Sequence, residues 1–355
     1  LVYGEQGIGD EVMFAPFVLA LVRAGAQCVL ECEPRLVQAF ARAFPECRIL
    51  RRAAKDQIAW RATLPAFAYC ISALSLPLYF EHPLQGGAFL AANPDRREYW
   101  RRRLEEYGGP GLKVGVSWRD GGEPKVRRIR SIPPALFGAL VDGQHTFVSL
   151  QYGASDDEVT AVSADLLRFP EVDPLKDLEE FFALVSALDA VVSVDNSTVH
   201  FAGALGVPTF MMLPVYAEWR WGNAASGVSP WYRSVEIVRQ REVSDAGWRE
   251  VMSAASDWLR AGALGRSSVA SAFTSSVTDN VLPELAAAGR KAVLVGDTNY
   301  WYHWGCSCTS LGLHEGLRTR FDEIAVVPLS RLHASCSWRF DTGSLDSDAF
   351  FEQFS

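Results

Sequence analysis

Apolar runs alternate with amphipathic stretches along most of the chain, the pattern of strands that cross over through helices into a mostly parallel sheet. The first part reads as a βαβαβ unit: a strand at Val2 and Tyr3, a glycine loop, a helix to Ala24, a strand from Cys28 to Cys32, a helix from Pro34 and a strand near Ile49. Residues 94–107 (PDRREYWRRRLEEY) predict a charged helix, after which Gly108-Gly109-Pro110-Gly111 breaks the chain. A second series begins with KVGVSW at Lys113. It continues with a helix opened by Pro133 and Pro134, strands at 146–152, 190–195 and 208–213, and a crossover helix at 177–188 (DLEEFFALVSAL). Two tandem α/β units leave a cleft between them, and the second should close near Gly262. The pattern thus predicts domains at 1–108 and 109–262, a Ser-rich linker at 263–290 and an incomplete α/β segment at 291–355. In that last segment KAVLVGD and EIAVVP read as strands, with a helix from about Cys308 to Phe321.

Length and composition narrow the picture. A chain of 355 residues fits two domains and a remnant. A formal net charge of -8 argues against a general nucleic-acid binder, so any phosphate site must be local. Seven cysteines lack the paired spacing of a zinc site or a disulfide framework, which fits a reducing cytoplasm. Residues 62–80 carry no charge, but Pro65, Pro77 and several polar side chains interrupt them; they read as buried core, and no stable membrane insertion is expected. The chain opens without Met and inside a strand-like run, so its natural start is expected upstream.

Four stretches carry candidate chemistry. The opening loop orders its glycines G-x-x-G-x-G (Gly4, Gly7, Gly9), the reverse of the dinucleotide fingerprint, although Glu31 and Glu33 stand where a ribose-binding acid would be sought. Asp10 and Glu11 occupy the first helical turn, where a carboxylate competes with phosphate for backbone N–H groups. Three readings stay open there: a phosphate loop, an N-cap at Asp10, or a space held open by Gly7 and Gly9 in which Asp10 does chemistry. In DNSTVHFAGALGVP (195–208), an apolar strand turns into a helix through Asp195, Asn196, Ser197 and Thr198, with His200 at the same mouth. Free backbone N–H groups, two hydroxyls and the helix dipole suit an anion, while a simple cap and a core histidine are the plain alternative. In WRDGGEPKVRRIRSIP (118–133), Arg119, Lys125, Arg127, Arg128 and Arg130 crowd a loop at the C-terminal edge of a strand, and the arginine fork suits a diphosphate. Gln151 and LPVYAEWRW (213–221) also follow strands of the second unit; Gln151 could read a base or ribose edge and LPVYAEWRW offers aromatic surface for stacking, although core packing is the favoured role for Trp219 and Trp221. Asp156-Asp157 sits in a helix-start context without convergent ligands, and no metal site is expected.

Together these stretches resemble the heptosyltransferase-like glycosyltransferases of the GT-B fold, in particular the domain that follows tetratricopeptide repeats in bacterial proteins. The resemblance is carried by GEQGIGDEVMFAPF (4–17), ISALSLPLYF (71–80), RSIPPALF (130–137), FVSLQYG (147–153), SVDNSTVHFAGALGVP (193–208) and LPVYAEWRW, and spans about 1–260. It implies an inverting, metal-independent transfer of sugar from a nucleotide-diphosphate donor, with no cofactor, to a glycan or protein hydroxyl. The fit is a cytoplasmic enzyme of polysaccharide biosynthesis, with peripheral membrane attachment left open. By resemblance Asp10 is the general base, Arg130 meets donor phosphate, and Asp195, Asn196, Ser197 and His200, with Thr198 beside them, cradle the diphosphate. Asn196-Ser197 departs from the Thr-Gly of the heptosyltransferases and puts a side chain where bare backbone would approach phosphate. Residues 293–317 faintly resemble the start of polysaccharide pyruvyl transferases. A non-catalytic nucleotide-sugar-binding module and a nicotinamide-dependent oxidoreductase are the competing functions.

Overall fold

The computed structural model describes residues 1–4, 6–52, 69–80, 84, 86–107, 109, 111–121, 127, 129–217, 219–221, 226–263, 291–297 and 323–328. The chain forms two compact units, one of residues 1–73 and 80–270, the other of residues 74–79 and 271–355.

The larger unit contains two parallel sheets. The first has β1 (Val2–Tyr3), β2 (Val29–Cys32), β3 (Arg48–Arg51) and β4 (Ile71–Ser72) in the order β3-β2-β1-β4, every pair parallel. Its first crossover is the expected helix to Ala24 broken into pieces: α1 (Ile8–Phe14), a 3-10 turn Ala15–Phe17 and α2 (Val18–Arg23). Pro16 lies in that turn, and a proline has no N–H to donate to the preceding helical turn. The second crossover runs through a 3-10 turn at Pro34–Leu36 into α3 (Val37–Ala43). The charged helix α4 spans Pro94–Glu106, and Asn93 caps it by accepting from the N–H groups of Asp95 and Arg96.

The second sheet holds β5 (Lys113–Ser117), β6 (Thr146–Ser149), β7 (Ala190–Val194), β8 (Thr209–Leu213), β9 (Ser226–Val228) and β10 (Val235–Arg239) in the order β6-β5-β7-β8-β10-β9. Its pairs are parallel apart from the β9–β10 edge. The sequence reading leaves β9 and β10 unassigned. The helices are α5 (Pro134–Phe137), α6 (Asp156–Val162), α7 (Leu178–Ser186), α8 (Ser197–Leu205) and α9 (Asp245–Arg260). Strands β7 and β8 are buried at every position, as continuous apolar runs in a sheet covered on both faces should be. Gly206 ends α8 in the left-handed region at φ +77, and Pro208 keeps it from resuming. Gly262, the expected closing point, has φ +82 just past α9.

This is the two-lobed α/β arrangement expected of the GT-B fold, with one difference. Helix α4 comes before the expected boundary at 108 but packs on the second lobe: Arg96 and Trp100 Nε1 both bond Glu180 of α7, and the Trp100 and Phe169 rings lie 4.9 Å apart. The seam is tied by backbone as well. The N–H groups of Phe89 and Leu90 donate to Ala204 O at 2.9 and 3.0 Å, Arg233 N donates to Gly86 O at 2.8 Å, and Arg35 Nη1 donates to Pro174 O at 2.8 Å. In the stretch read as buried core, Leu74 and Leu76 are buried, but Tyr69 and Tyr79 are exposed, and residues 62–68 lie outside the described residues. Among the described residues no helix is long and apolar enough to cross a membrane.

In the smaller unit β11 (Lys291–Asp297) and β12 (Glu323–Pro328) pair in parallel, at the two apolar runs expected to be strands. The helix expected near 308–321 lies outside the described residues.

Phe182 is fully buried on α7, its ring 5.3 Å from that of Phe201 on α8. Truncating it leaves a cavity that close packing cannot refill. Phe182→Ala should lose about 3–5 kcal/mol of unfolding free energy in a denaturant titration. Val243→Ala, at a position 57% exposed, should change it by less than about 0.5 kcal/mol.

Candidate functional site

In open α/β sheets, ligands bind at the carboxyl ends of the strands, where successive crossovers leave in opposite directions. The first sheet has this switch point between β1 and β4, the second between β5 and β7. The loop after β1 carries Gly4 to Asp10, and the loops after β5 and β7 carry Arg119, Asp120 and Asp195 to Thr198. Both candidate stretches therefore stand at the edges where topology puts chemistry.

Among the described residues of the opening loop, the glycines serve packing and capping. A Cβ on Gly4 would strike the Arg52 guanidinium and lie 2.7 Å from the Glu11 carboxyl carbon. That glycine makes room for a buried ion-pair network. Glu11 pairs with Arg52 and accepts from Glu33 N at 2.7 Å, while Arg52 Nε reaches Glu31 Oε1 at 3.2 Å. Burial raises the Glu11 pKa, with Arg52 opposing. Glu31 is thus spent on Arg52, and Glu33 caps the turn at Pro34–Leu36 by accepting from Arg35 N. Gly7 is the N-cap of α1, and its carbonyl accepts from the N–H groups of Asp10 and Glu11 at 3.0 and 3.1 Å. Asp10 lies three residues inside the cap and does not cap the helix itself.

What Asp10 does is cross the seam. Arg220, on the short turn Trp219–Trp221 after β8, donates from Nε to Asp10 Oδ1 at 2.5 Å and from Nη2 to Oδ2 at 3.0 Å. The side chains are only 16% and 10% exposed. The next residue, Trp221, donates Nε1 to Asp195 Oδ1 at 2.8 Å, and Arg130 Nη2 donates to Asp195 Oδ2 at 2.6 Å. Asp120 stands 3.5 Å from Arg130 on its other side. A chain of alternating charge runs from the first lobe's base candidate to the second lobe's basic loop.

The predicted site residues gather here in unequal roles. His200 is buried: its ring stacks on Trp221 with centroids 5.0 Å apart, its Nδ1 lies 3.1 Å from the Tyr232 hydroxyl, and a Cβ on Gly9 would sit 2.8 Å from its Cδ2. Burial and the Arg220 cation push its pKa down to about 3, so it is neutral near pH 7. Burial holds the Tyr232 phenol well above its ordinary value, with the Asp10 carboxylate adding to the effect. Asn196 caps α8 by accepting from Thr198 N at 2.9 Å, and its Nδ2 donates to Ser117 Oγ at 2.7 Å and Arg119 O at 3.2 Å. Gln151 Oε1 accepts from Ser117 Oγ, Trp118 N and Arg119 N at 2.8–3.0 Å. Its Nε2 is bonded to Arg119 O and Tyr152 O. Gln151 and Asn196 therefore brace the three strand ends against one another. Thr198 is buried, whereas Ser197 is half-buried at the mouth of α8. Arg119 bonds Glu158 at 2.8 Å; Lys125 and Arg128 lie outside the described residues. A cavity of about 210 Å³ opens beside Gln151 and Tyr152, closed by Phe169, Pro170 and Asp173.

Sequence reasoning missed Arg220, Asp120 and Tyr232 as members of the site and read Trp221 as core. Trp221 is indeed buried, but its indole N–H holds Asp195. Asp156 pairs with Arg168. Among the described residues no group of three or more His, Cys, Asp or Glu is placed to hold a metal ion.

No protein-family model matches the chain. Protein FlbA of Caulobacter vibrioides is 33% identical over 253 residues, which cover 65% of this chain and 41% of FlbA. The chain thus spans about two fifths of the length of this curated relative. Among solved structures, a glycosyl transferase family 9 protein from Veillonella parvula aligns at TM-score 0.48 and 11% identity, over 71% of this chain and 90% of its own. The ADP-heptose lipopolysaccharide heptosyltransferase II of E. coli aligns at 0.47 and 11%, over 72% and 97%. An E. coli heptosyltransferase bound to ADP-2-deoxy-2-fluoro heptose aligns at 0.47 and 12%, over 74% and 99%. At TM-scores below 0.5 these likenesses say nothing of this chain's chemistry, which must be read from its own residues.

Two outcomes test the packing of the site. Gly9→Ala should cost about 1–3 kcal/mol in denaturant unfolding, because its methyl meets a ring already stacked on its far side. In a His200→Ala background the same change should be neutral or stabilising, since alanine is the better helix former. His200 is neutral in the folded state down to about pH 3 but takes a proton below its ordinary 6.5 when unfolded. Its stabilising contribution is therefore complete above pH 6.5 and is lost as the pH falls toward 3. Between those limits wild type should lose stability faster than His200→Gln, by roughly 1 kcal/mol per pH unit, as measured by unfolding at pH 7, 6 and 5.

Proposed function

We propose that this chain is a nucleotide-sugar-dependent glycosyltransferase: the diphosphate of its donor binds at the start of α8 and Asp10 is the general base. The observation that supports this most is the meeting of the two switch points. A carboxylate follows β1 of one sheet, an anion-suited helix start follows β7 of the other, and α1 and α8 pack so closely that Gly9 meets His200. Phosphate oxygens would take the N–H groups and hydroxyl at Ser197 together with the Arg130 fork. Gln151 and Asn196 would act through the loops they brace, and His200 as the neutral wedge that sets the spacing of α1 and α8. The nucleoside would fill the cavity beside Gln151 and Tyr152.

In the reaction the acceptor hydroxyl loses its proton to Asp10 as its oxygen bonds the anomeric carbon, and the bond from that carbon to the diphosphate oxygen breaks with its electrons going to the leaving group. Attack from the face opposite the diphosphate inverts the anomeric centre. Arg130 and the dipole of α8 offset the charge that develops on the leaving group. A glycan or protein hydroxyl is the acceptor class, and a cytoplasmic place in polysaccharide biosynthesis would supply both substrates.

The bidentate hold of Arg220 on Asp10 favours a second reading, a nucleotide-sugar-binding module without turnover, because the guanidinium fork occupies both oxygens and leaves an acceptor hydroxyl to compete for the lone pairs that remain. One experiment separates them. ADP-, GDP-, UDP- and dTDP-sugars are screened by calorimetry, and donor turnover is followed for the one that binds. Arg130→Glu should weaken that donor at least about tenfold. Asp10→Asn should leave donor binding no weaker than in wild type and lower turnover at least about a hundredfold. Donor binding with no turnover in wild type selects the module; no binding by any of the four overturns both.

A further inference from the structure

Arg220 is placed to serve two anions. Its guanidinium is closed on Asp10, but its backbone belongs to the other end of the site. Arg220 O accepts from Trp231 Nε1 at 2.6 Å, and the next side chain, Trp221, is fastened to Asp195 and stacked on His200. With its carbonyl and the following side chain fastened, the guanidinium can change partner by rotating its own side chain. The new partner would be whatever anion occupies the start of α8. Arg130, a second cation there, is likewise held by carboxylates, Asp195 and Asp120. An anion entering this site must therefore win its arginines from aspartates, and a fork that fits a carboxylate also fits a phosphate.

We propose that Arg220 is shared between Asp10 and the donor diphosphate. Without donor it locks both oxygens of Asp10; with donor at least one of its N–H groups passes to phosphate, and an Asp10 oxygen is released to take the acceptor's proton. This rests on the nucleotide-diphosphate reading of the site and adds an order to it: the donor binds first and unlocks the base. It also reconciles a buried, arginine-bound Asp10 with a catalytic one.

Calorimetry of the full chain with the nucleoside diphosphate of the best-binding donor tests this through a double-mutant cycle. If Asp10 competes with phosphate for Arg220, Asp10→Asn should tighten binding by about tenfold, Arg220→Gln should weaken it by at least about tenfold, and in the Arg220→Gln background Asp10→Asn should have less than about a twofold effect. Arg220→Lys, which keeps the charge without the fork, should fall between wild type and Arg220→Gln, and serves the cycle if the glutamine variant does not fold. Arg220→Gln binding as wild type does would overturn the proposal. So would an Asp10→Asn gain that persists undiminished without Arg220, since that is only the field of a removed charge. A wild type that binds no nucleoside diphosphate fails earlier, and overturns the parent reading with it.

Discussion

The close approach of α1 to α8 is the constraint on which the site depends. Each helix follows a strand at the switch point of its own sheet, and each lobe taken alone would display only the groups of its own sheet edge. The two edges become one site because residue 9 has no side chain and the His200 ring fills the space. That ring is held by Trp221 on its face and Tyr232 on its edge. Backbone bonds from Phe89 and Leu90 to Ala204 O tie the segment before α4 to α8.

Burial decides the electrostatics that follow. Taking a charge out of water costs several kcal/mol unless a partner meets it, so the seam admits charged groups only in compensating sets. Asp10 with Arg220, Asp195 with Arg130, and Glu11 and Glu31 with Arg52 are such sets. Nearest the Asp10–Arg220 pair, His200 is kept neutral by the same burial and by the arginine beside it. A site neutralised from within suits an anionic ligand that exchanges partners with its aspartates better than one that meets a bare basic patch. It also fits a chain of net charge -8 that carries a local basic loop.

Much of this was legible from residue pattern. The apolar runs at 113–117, 190–194 and 209–213 are strands because they are buried on both faces, and Gly206 with Pro208 marks the end of α8 as a left-handed cap must. The stretch 195–200 is a strand-to-helix turn capped by its asparagine, as its residue types require. Other features were hidden. The break at Pro16 was in plain view but was overridden by an uninterrupted apolar pattern on either side. Helix α4 seemed to belong to the lobe it follows, because nothing local says that Trp100 will find Glu180. The glycine order in the opening loop was read as one device, yet Gly4 clears space for an ion pair, Gly7 caps a helix and Gly9 admits a ring from 191 residues away.

The sequence by itself determined much of the local matter: most of the segments that are strands or helices, several of their ends, and the turns that leave N–H groups and charges at a strand's end. These follow from periodicity and from the φ, ψ and hydrogen-bonding limits of single residues, which act over a few positions. Tertiary structure alone decided the partners. Arg220 lies 210 residues from Asp10, inside a segment whose pattern reads as aromatic packing, and Gln151 and Asn196 brace strand ends that are adjacent only in the folded sheet. Pairing energies depend on distance and burial, and neither is defined until the chain has closed on itself.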